Sequence, residues 1–467
     1  MTVNVLLLNP PGKRMYIRDY YCSKASRTNY VFHPVDLLLL SGRLAQRYEV
    51  TVIDANADRL DAERCVTLID RLAPDVIVSM IGAVSLDEDV AFLEKLKKPA
   101  RRIVVSGDVV LEHTGEWLRQ HDFIDAALLD FTSEDIVAYI EGETIPLEFV
   151  VRNAETDQPM VRKRAVNLEF SLPLPRHDLF ISRHYRFPFA RHKEFATVLT
   201  DYGCPYHCTF CNMSSLGYKY RPVTDIIEEL RLLRTLGRKE IFFIDQTFGA
   251  NRKRALDLCG RMEQERFTFG WSCFTRVDLL TEELAAAMQG SGCHTVMLGV
   301  ETASAAMLEA YGKGYTKARI QDAFRLCKTL GLRTVATFVL GLPEETEDTA
   351  RETIAFAREL DCDFASFNIA VPRMGTLLRQ IAIQEGLIRP DIMMMDQAGS
   401  TITMPSRHLT KARLGELRKQ AIQSFYLRPG YLWKRLIRIS TLYELREQLF
   451  EGWALLSSLW KIDENTP

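Results

Sequence analysis

Residues Phe195–Asn212 read FATVLTDYGCPYHCTFCN, an apolar run followed directly by three closely spaced cysteines. The β-branched and aromatic side chains of this run predict a buried strand over Phe195–Thr200. Cys204, Cys208 and Cys211 follow with the spacing CxxxCxxC. Soft thiolates bind iron–sulfur clusters and zinc, so three of them on a loop that leaves a strand indicate a metal site.

The chain after this loop continues to alternate strands with amphipathic helices. Six strands are predicted: Phe195–Thr200, Glu240–Ile244, Gly270–Arg276, Thr295–Val300, Thr334–Leu340 and Ala365–Val371. Six successive βα units predict an open, partial (β/α)6 TIM-like barrel over residues 195–400, whose working face is the C-terminal rim. The loop after the first strand is expected on that rim. Residues 401–467 are predicted to form C-terminal helices.

The first part of the chain shows the same alternation. Its predicted strands are Val3–Leu8, Val50–Asp54, Val76–Ser79 and Ile103–Ser106. This spacing predicts an α/β domain over residues 1–142 with a doubly wound (Rossmann-like) parallel sheet. Ligands of such sheets bind beyond the carboxyl ends of the strands. Residues 143–194 show little periodic pattern and are predicted to be a linker.

Length and charge narrow the class of protein. The 467 residues suffice for two or three domains at roughly 150 residues each. There are 59 Lys and Arg against 61 Asp and Glu, and nucleic-acid-binding proteins usually carry a basic excess, so no nucleic-acid partner is expected. No apolar run reaches the roughly 18 residues of a membrane-spanning helix. The start lacks the basic region of a signal peptide, so a cytoplasmic location is expected.

The three cysteines leave more than one metal centre open. Zinc would need a fourth ligand, and His207 adjoins Cys208 too closely to share one tetrahedral ion easily. Electron-transfer clusters take four cysteines, and no fourth lies nearby. Three thiolates on a four-iron cluster would leave one iron with an open coordination site, as a catalytic centre requires. A zinc or iron–sulfur binding module without catalysis is the alternative from another class.

Cys204, Cys208 and Cys211 match the signature of the radical S-adenosylmethionine (SAM) superfamily, and the six βα units resemble its partial barrel. This resemblance implies that the three cysteines are the catalytic ligands of a [4Fe-4S] cluster whose remaining iron is chelated by SAM. It implies an enzyme that cleaves SAM reductively and functionalises an unactivated carbon of a small-molecule substrate. An electron donor such as flavodoxin or ferredoxin is then needed as a partner.

Other residues along the barrel resemble the SAM-binding positions of this superfamily. The resemblance implies that Glu301 contacts the ribose or amino group and that Arg276 pairs with the SAM carboxylate. Gly341 lies in a turn that resembles the one lining the adenine, and Phe210 is grouped with these SAM-binding residues. Asp245 is expected on the substrate side. The alternatives are helix caps for Asp245 and Glu301 and a rim ion pair for Arg276.

The first domain resembles the cobalamin-binding domain of cobalamin-dependent radical SAM enzymes, because Asn9-Pro10-Pro11 directly follows its first strand. The resemblance implies cobalamin contacts at Asn9, Pro10, Pro11, Ser106 and Gly107. Small residues and backbone amides there suit the burial of a tetrapyrrole. The chain has no D-x-H-x-x-G, so no motif histidine is available to ligate cobalt from below.

Two reaction types follow from this resemblance. One is cobalamin-dependent methyl transfer; the other is radical cyclisation or carbon–carbon bond formation, as in the anaerobic magnesium-protoporphyrin cyclases that the architecture also resembles. Residues 425–461 are basic and aromatic, and such amphipathic segments can lie on an anionic membrane. Peripheral contact at an inner membrane surface and a lipid-like or tetrapyrrole-like substrate are therefore hypotheses. The alternative is that these helices pack on the barrel or on a second subunit.

Overall fold

The computed structural model describes residues 3–19, 23–26, 30–111, 113–143, 147–153, 165–182, 184–393, 395–399, 401–437, 439 and 441–460. The chain divides into two units, Met1–Arg186 with Met393–Met395 and Phe187–Ile392 with Asp396–Pro467. Both are mixed α/β structures whose main sheets are largely parallel.

The first unit is built on a six-stranded sheet. In chain order the strands are β1 (Asn4–Asn9), β2 (Tyr16–Arg18), β3 (Ser23–Ala25), β4 (Glu49–Asp54), β5 (Val76–Met80), β6 (Arg102–Ser106), β7 (Ala126–Leu128), β8 (Val150–Arg152) and β9 (Ala165–Glu169). The helices are α1 (Val35–Leu44), α2 (Ala62–Leu72), α3 (Leu86–Glu94), α4 (Thr114–Gln120) and α5 (Asp135–Glu141).

The strand order of this sheet defines its ligand edge. Across the sheet the order is β4-β1-β5-β6-β7-β8, with parallel pairing everywhere except between β7 and β8. After β1, the next strand of this sheet, β4, lies on one side of β1, and the strand after that, β5, lies on the other side. The order therefore reverses between β1 and β5, and ligands of doubly wound sheets bind beyond the carboxyl ends of the strands at such a switch point.

Besides β7 and β9, three further short strands of this unit were not predicted from the sequence. β2 and β3 form an antiparallel hairpin inserted between β1 and α1. β8 lies within the segment that the sequence analysis treated as a linker, and it joins the sheet as an antiparallel edge strand. Each of these strands has three residues, which is too few to show a period of two.

The second unit contains a six-stranded, wholly parallel sheet. The strands of this unit are β10 (Phe195–Val198), β11 (Asp201–Gly203), β12 (Gly217–Tyr220), β13 (Glu240–Phe243), β14 (Gly270–Arg276), β15 (Cys293–Glu301), β16 (Arg333–Leu340) and β17 (Phe364–Ile369); β11 and β12 do not belong to the six-stranded sheet. The order is β10-β13-β14-β15-β16-β17, so successive strands are neighbours. All six carboxyl ends consequently point to one edge, where the loops carry the residues described below.

Helices connect these strands and cover them. They are α6 (Val223–Thr235), α7 (Arg252–Gln264), α8 (Glu282–Gly290), α9 (Ala305–Ala310), α10 (Lys317–Thr329), α11 (Glu347–Glu359), α12 (Leu377–Gln384), α13 (Lys411–Tyr426), α14 (Pro429–Ile437) and α15 (Leu442–Trp460). The core combines the strands with the buried faces of α6, α7, α8, α10, α11 and α13.

The last two helices differ from the others in what they expose. On α14, Trp433 is 65% exposed and Ile437 64% exposed; on α15, Leu442 is 86% and Trp453 74% exposed. In contrast, Phe425 on α13 is fully buried in the core. Within the part of the chain that the structure describes, no helix has both the length and the apolar character needed to span a membrane.

Candidate functional site

The cysteine loop starts beyond the carboxyl end of β10 and is closed by the antiparallel pair β11–β12. The backbone N–H of Cys204 donates to the carbonyl of Gly217 at 2.9 Å. Gly203 has φ +74°, and a Cβ at this position would lie 2.1 Å from the Gly217 carbonyl oxygen. Only glycine allows this approach, so it lets the two ends of the loop close on each other.

The three thiols lie in a partly desolvated environment with cationic neighbours. Cys204 Sγ is 3.5 Å from Thr247 Oγ1, and Arg276 Nη1 donates to Cys208 Sγ at 3.8 Å. Desolvation raises the pKa of Cys211 to about 12. A thiol of this kind ionises when a bound metal takes the place of its proton. The loop therefore suits a metal centre rather than a free thiolate.

The donor set fits a multi-iron cluster. Among the described residues, no three or more His, Cys, Asp or Glu side chains converge on one metal ion. A four-iron cluster needs no such convergence, because each thiolate binds a different iron. Two buried polar atoms of the same loop, Thr209 Oγ1 and Asn212 Oδ1, have no hydrogen-bond partner within the described chain. His207, the nearest histidine, is exposed.

Arg276, the last residue of β14, brings a positive charge to this loop. Its guanidinium pairs with Asp278 at 3.0 Å and donates from Nη2 to the Lys313 carbonyl at 2.5 Å. The guanidinium carbon lies 3.8 Å from the centroid of the Tyr206 ring, within the cysteine loop. The sequence left an ion pair open as an alternative role for Arg276, and the pair with Asp278 fixes the guanidinium beside Cys208.

A second buried cation, Lys313, accompanies Glu301. Lys313 Nζ lies 2.9 Å from Glu301 Oε1, and both side chains are largely buried. Burial alone would lower the pKa of Lys313, but the neighbouring acidic groups, Glu301 first among them, together outweigh burial and hold that pKa above the ordinary value. Lys313 Nζ is also 5.6 Å from the centroid of the Phe210 ring. The pair thus connects β15 to the cysteine loop.

The backbone at Glu301 is strained in a way that serves this placement. Its φ of +67° is in the left-handed region, and the pairing with β16 shifts register between Gly299 and Glu301. Such a bulge re-aims a side chain at the end of a strand. The following helix, α9, is capped by Ser304, whose side chain accepts from the Met307 N–H. Glu301 is therefore not a helix cap.

The turn after β16 is also organised around a glycine. Gly341 has φ +90°, and its N–H donates to the Glu345 carboxyl group. Glu345 is fully buried, and its Oε1 has no hydrogen-bond partner among the described residues. Burial raises the pKa of Glu345 to about 8. Phe210 packs against Leu342 and its apolar neighbours, so this turn adjoins the cysteine loop.

We expect Glu345 to make the stability of the second unit depend on pH. The folded carboxyl group keeps its proton up to about pH 8, whereas the ordinary value is 4.5. The unfolded chain therefore loses this proton first, and the contribution to stability falls as pH rises from 4.5 to about 8. Thermal unfolding of the whole chain between pH 5.5 and 8.5 should show a smaller decline for Glu345→Gln. Equal declines in both proteins would contradict this expectation.

Asp245 is placed differently from its predicted substrate-side role. It is fully buried beyond the end of β13, and its carboxylate accepts from the backbone N–H groups of Thr200 at 2.6 Å and Asp201 at 2.9 Å. It also accepts from the Thr200 hydroxyl at 2.5 Å. The helix that follows is capped by Asn251 instead. Through these contacts, Asp245 holds Thr200 and Asp201, where the cysteine loop begins.

The carboxyl edge of the first unit contains a second polar cluster. Asn9 Nδ2 donates to Asp54 Oδ1 at 2.9 Å, and Tyr185 Oη donates to Asp54 Oδ2 at 2.8 Å. Burial raises the pKa of Asp54 to about 6. Asn9 Oδ1 and the Pro10 carbonyl accept from Arg18 at 3.1 and 2.9 Å. Arg18, which was not singled out from the sequence, thus holds predicted residues at the end of β1 and in the loop that follows.

Ser106 is the last residue of β6, and Gly107 directly follows it. A Cβ on Gly107 would lie 1.9 Å from the Ile81 carbonyl oxygen, so the loops after β5 and β6 touch through this glycine. Ser106 Oγ is buried without a hydrogen-bond partner among the described residues. An orphaned hydroxyl at the ligand edge of a doubly wound sheet fits a polar group of a bound ligand.

Comparison with known proteins identifies the superfamily. Residues 198–357 match the model of the Radical SAM superfamily. The chain is also 33% identical over 437 residues to an uncharacterized methyltransferase of Pyrococcus horikoshii, covering 87% of this chain and 92% of that protein. The chain belongs to the radical SAM superfamily. Its enzyme class, its [4Fe-4S] cluster and its use of SAM follow from that membership, as the cysteine motif predicted.

Two solved structures resemble this radical SAM enzyme along nearly its whole length. TsrM from Kitasatospora setae, a radical SAM methyltransferase with cobalamin and a [4Fe-4S] cluster bound, has a TM-score of 0.70 at 16% identity and covers 98% of this chain and 100% of its own. OxsB, with aqua-cobalamin and SAM bound, has a TM-score of 0.70 at 16% identity and covers 100% and 74%. At this identity the likeness concerns the fold.

Four residues that were predicted from the sequence, Cys208, Phe210, Arg276 and Glu301, form one connected cluster with Lys313. Cys208 contacts Arg276, and Phe210 and Glu301 are joined through Lys313. Lys313 is the residue that the sequence analysis missed. Its only local signal is the flanking pair of glycines, Gly312 and Gly314, because its partner lies twelve positions earlier across a helix.

Proposed function

We propose that this radical SAM enzyme is a cobalamin-dependent methyltransferase that methylates an unactivated carbon of a small molecule. The observation that carries the proposal is the pair of cofactor folds in one chain. The first unit has the switch point between β1 and β5, and the second has the cysteine loop at the carboxyl edge of its parallel sheet. The methyltransferase named among the relatives and the cobalamin in both related structures support it.

We further propose the finer architecture that the sequence predicted. The first unit is a Rossmann-like, cobalamin-binding domain, and the second is a partial (β/α)6 barrel with C-terminal helices. The flavodoxin-like order of the first sheet and the one-by-one succession of strands in the second support these assignments. Cobalamin would contact Asn9, Pro10, Pro11, Ser106 and Gly107.

The residues of the second unit take the following roles in this proposal. Cys204, Cys208 and Cys211 hold the cluster, which when bound supplies the electron that cleaves SAM to a 5′-deoxyadenosyl radical. Arg276 and Lys313 offer the SAM carboxylate two cations, which Asp278 and Glu301 respectively neutralise in part. Charge-assisted hydrogen bonds of this kind fix a carboxylate firmly.

The remaining side chains position SAM and keep water out. Phe210 supplies an apolar wall beside Lys313. Gly341 lets its turn adopt a φ of +90°, and this turn would line the planar base of SAM. Exclusion of water strengthens the electrostatic contacts of the cations and protects a radical from side reactions. An electron donor such as flavodoxin or ferredoxin would deliver the reducing electron.

The methyl-transfer step can be tested without knowing the substrate. The anaerobically reconstituted chain is reduced in the presence of a corrinoid and SAM labelled in its methyl group. We expect label in the corrinoid fraction together with S-adenosylhomocysteine. Formation of 5′-deoxyadenosine with no label in the corrinoid would contradict methyl transfer and favour radical cyclisation or carbon–carbon bond formation.

A lipid-like substrate and peripheral membrane contact form a finer part of the proposal. Leu432, Trp433, Leu436 and Ile437 of α14 are each more than half exposed, and Arg446 on α15 is an exposed cation. Apolar side chains beside basic ones suit the surface of an anionic membrane. Arg438 and Lys461, which the sequence analysis included in this segment, lie outside the described residues.

We expect the chain to float with vesicles that contain an anionic phospholipid, and less so with zwitterionic vesicles. Trp433→Ser combined with Ile437→Ser should weaken this association, because both side chains leave the apolar surface of α14. Leu168→Ser, at a residue 57% exposed in the first unit, is the matched control. Flotation that is absent, or unchanged by the α14 variant, would contradict membrane contact through this helix.

A further inference from the structure

The inserted hairpin β2–β3 places one arginine at the ligand edge of the first unit. Arg18, the last residue of β2, is 1% exposed. Its Nη1 donates to Asn9 Oδ1 at 3.1 Å and to the Pro10 carbonyl at 2.9 Å. Its Nη2 donates to the Pro11 carbonyl at 3.3 Å. One guanidinium therefore holds three successive residues of the loop after β1.

The same guanidinium also binds the loop after β5. Arg18 Nη2 and Asp89 Oδ1 form a fully buried ion pair at 2.8 Å, and Arg18 Nε donates to Ser85 Oγ at 2.9 Å. Asp89 in turn accepts from Ser85 Oγ at 2.8 Å and from the Gly82 N–H at 3.1 Å. Asp89 lies on α3, and Gly82 and Ser85 lie on the loop that leads into it. Arg18 thus ties together the two loops that flank the switch point.

We propose that Arg18 is the positioning residue of the corrinoid site, which it shapes through these two loops. The inference rests on the proposed binding of cobalamin. Every direction of the guanidinium fork is occupied by Asn9, the two proline carbonyls, Ser85 and Asp89. Arg18 consequently acts on a ligand through the backbone that it holds, not by touching it.

The chemistry of the loop explains why an arginine is needed. Pro10 and Pro11 have no backbone N–H, so each contributes only a carbonyl to hydrogen bonding. Both carbonyls are satisfied by Arg18, and a buried carbonyl that loses its donor is costly. Lysine could keep the charge opposite Asp89, but it lacks the planar fork that reaches both loops at once. Without the fork, Asn9, Pro10 and Pro11 lose their link to Asp89 on α3, and the hydrogen bond from the Lys13 N–H to Glu88 at 2.9 Å remains between the loop and that helix.

The test measures corrinoid affinity in the whole, anaerobically reconstituted 467-residue chain, using hydroxocobalamin as the probe and absorbance titration as the readout. Arg18→Met should weaken binding by about ten- to a hundredfold, as losses of supporting residues around metal sites commonly do. Arg18→Lys should give an intermediate loss. Arg47→Met is the matched control, because Arg47 forms an exposed ion pair with Glu141 in the same unit.

Arg18→Met leaves the Asp89 carboxylate buried without its cation, and this can unfold the first unit. The double variant Arg18→Met/Asp89→Leu removes both charges, and replacement of a buried ion pair by apolar residues is often tolerated. It should retain the far-ultraviolet circular dichroism of the parent and its reductive cleavage of SAM, yet still bind hydroxocobalamin at least about tenfold more weakly.

The outcomes separate this inference from the proposed function. If the parent binds no corrinoid, the cobalamin proposal fails and this inference fails with it. If the parent binds and the folded double variant binds equally well, cobalamin binding stands and the role of Arg18 is overturned. A weakened double variant with intact SAM cleavage supports both.

Discussion

Replacement of Cys208 by alanine is expected to abolish reductive cleavage of SAM. The three thiolates act as one unit that holds the cluster, so loss of one should cost about 10³-fold or more in rate, as for other residues that act together. The same result is expected for Cys204→Ala and Cys211→Ala. The measurement is 5′-deoxyadenosine formed under anaerobic, reducing conditions, together with iron per chain.

Cys65→Ala supplies a matched control for this prediction. Cys65 is a buried free thiol on α2 in the first unit, so its removal tests the loss of a cysteine as such. The control should keep about four irons per chain and the parent's rate. Activity that survives in Cys208→Ala would show that the loop does not hold the catalytic cluster.

Replacement of Lys313 by methionine is expected to weaken SAM binding by about ten- to a hundredfold, the effect of losing one charge-assisted hydrogen bond. The variant also leaves Glu301 buried without the cation that lies 2.9 Å away, which places a negative charge near the SAM carboxylate. Lys313→Arg should recover part of the affinity, because it restores the charge. The measurement is anaerobic equilibrium dialysis with labelled SAM.

Lys317→Met is the matched control, since Lys317 forms a more exposed ion pair with Glu352. Iron content must stay at the parent level in all three variants, so that a change in affinity reflects the contacts of SAM. If Lys313→Met binds SAM as tightly as the parent, the assignment of this cation to the SAM carboxylate is wrong.

The main elements of both units follow from the sequence because their hydrophobic patterns are local. The loop that carries Cys204, Cys208 and Cys211 directly follows a strand, and the six strands of the second sheet recur with regular helices between them. A strand of five or more apolar residues between amphipathic helices can be predicted without knowing which strands pair with it in the sheet. The superfamily could therefore be predicted from one stretch of eighteen residues and the rhythm around it.

The residues that complete the sites could not be predicted in this way, because their roles depend on distant partners. Arg18 and Asp89 meet across 71 positions, and Asp245 reaches Thr200 across 45. Asp245 directly follows a predicted strand, which is where a residue that faces the substrate is expected. Only the fold shows that its carboxylate accepts hydrogen bonds from the loop backbone. Contacts of this kind leave no local pattern in the sequence. A residue can therefore be singled out from the sequence, but the distant residue that it contacts cannot.

We propose that Cys204, Cys208 and Cys211 leave one iron of the cluster open to SAM. The most direct test is electron–nuclear double resonance of the reduced cluster, with SAM carrying ¹⁷O in its carboxylate and ¹⁵N in its amino group. We expect hyperfine coupling from both labels, together with a shift of the cluster's electron paramagnetic resonance signal. A signal that is unchanged by SAM and shows neither coupling would mean that the fourth iron has another ligand, and would contradict the account.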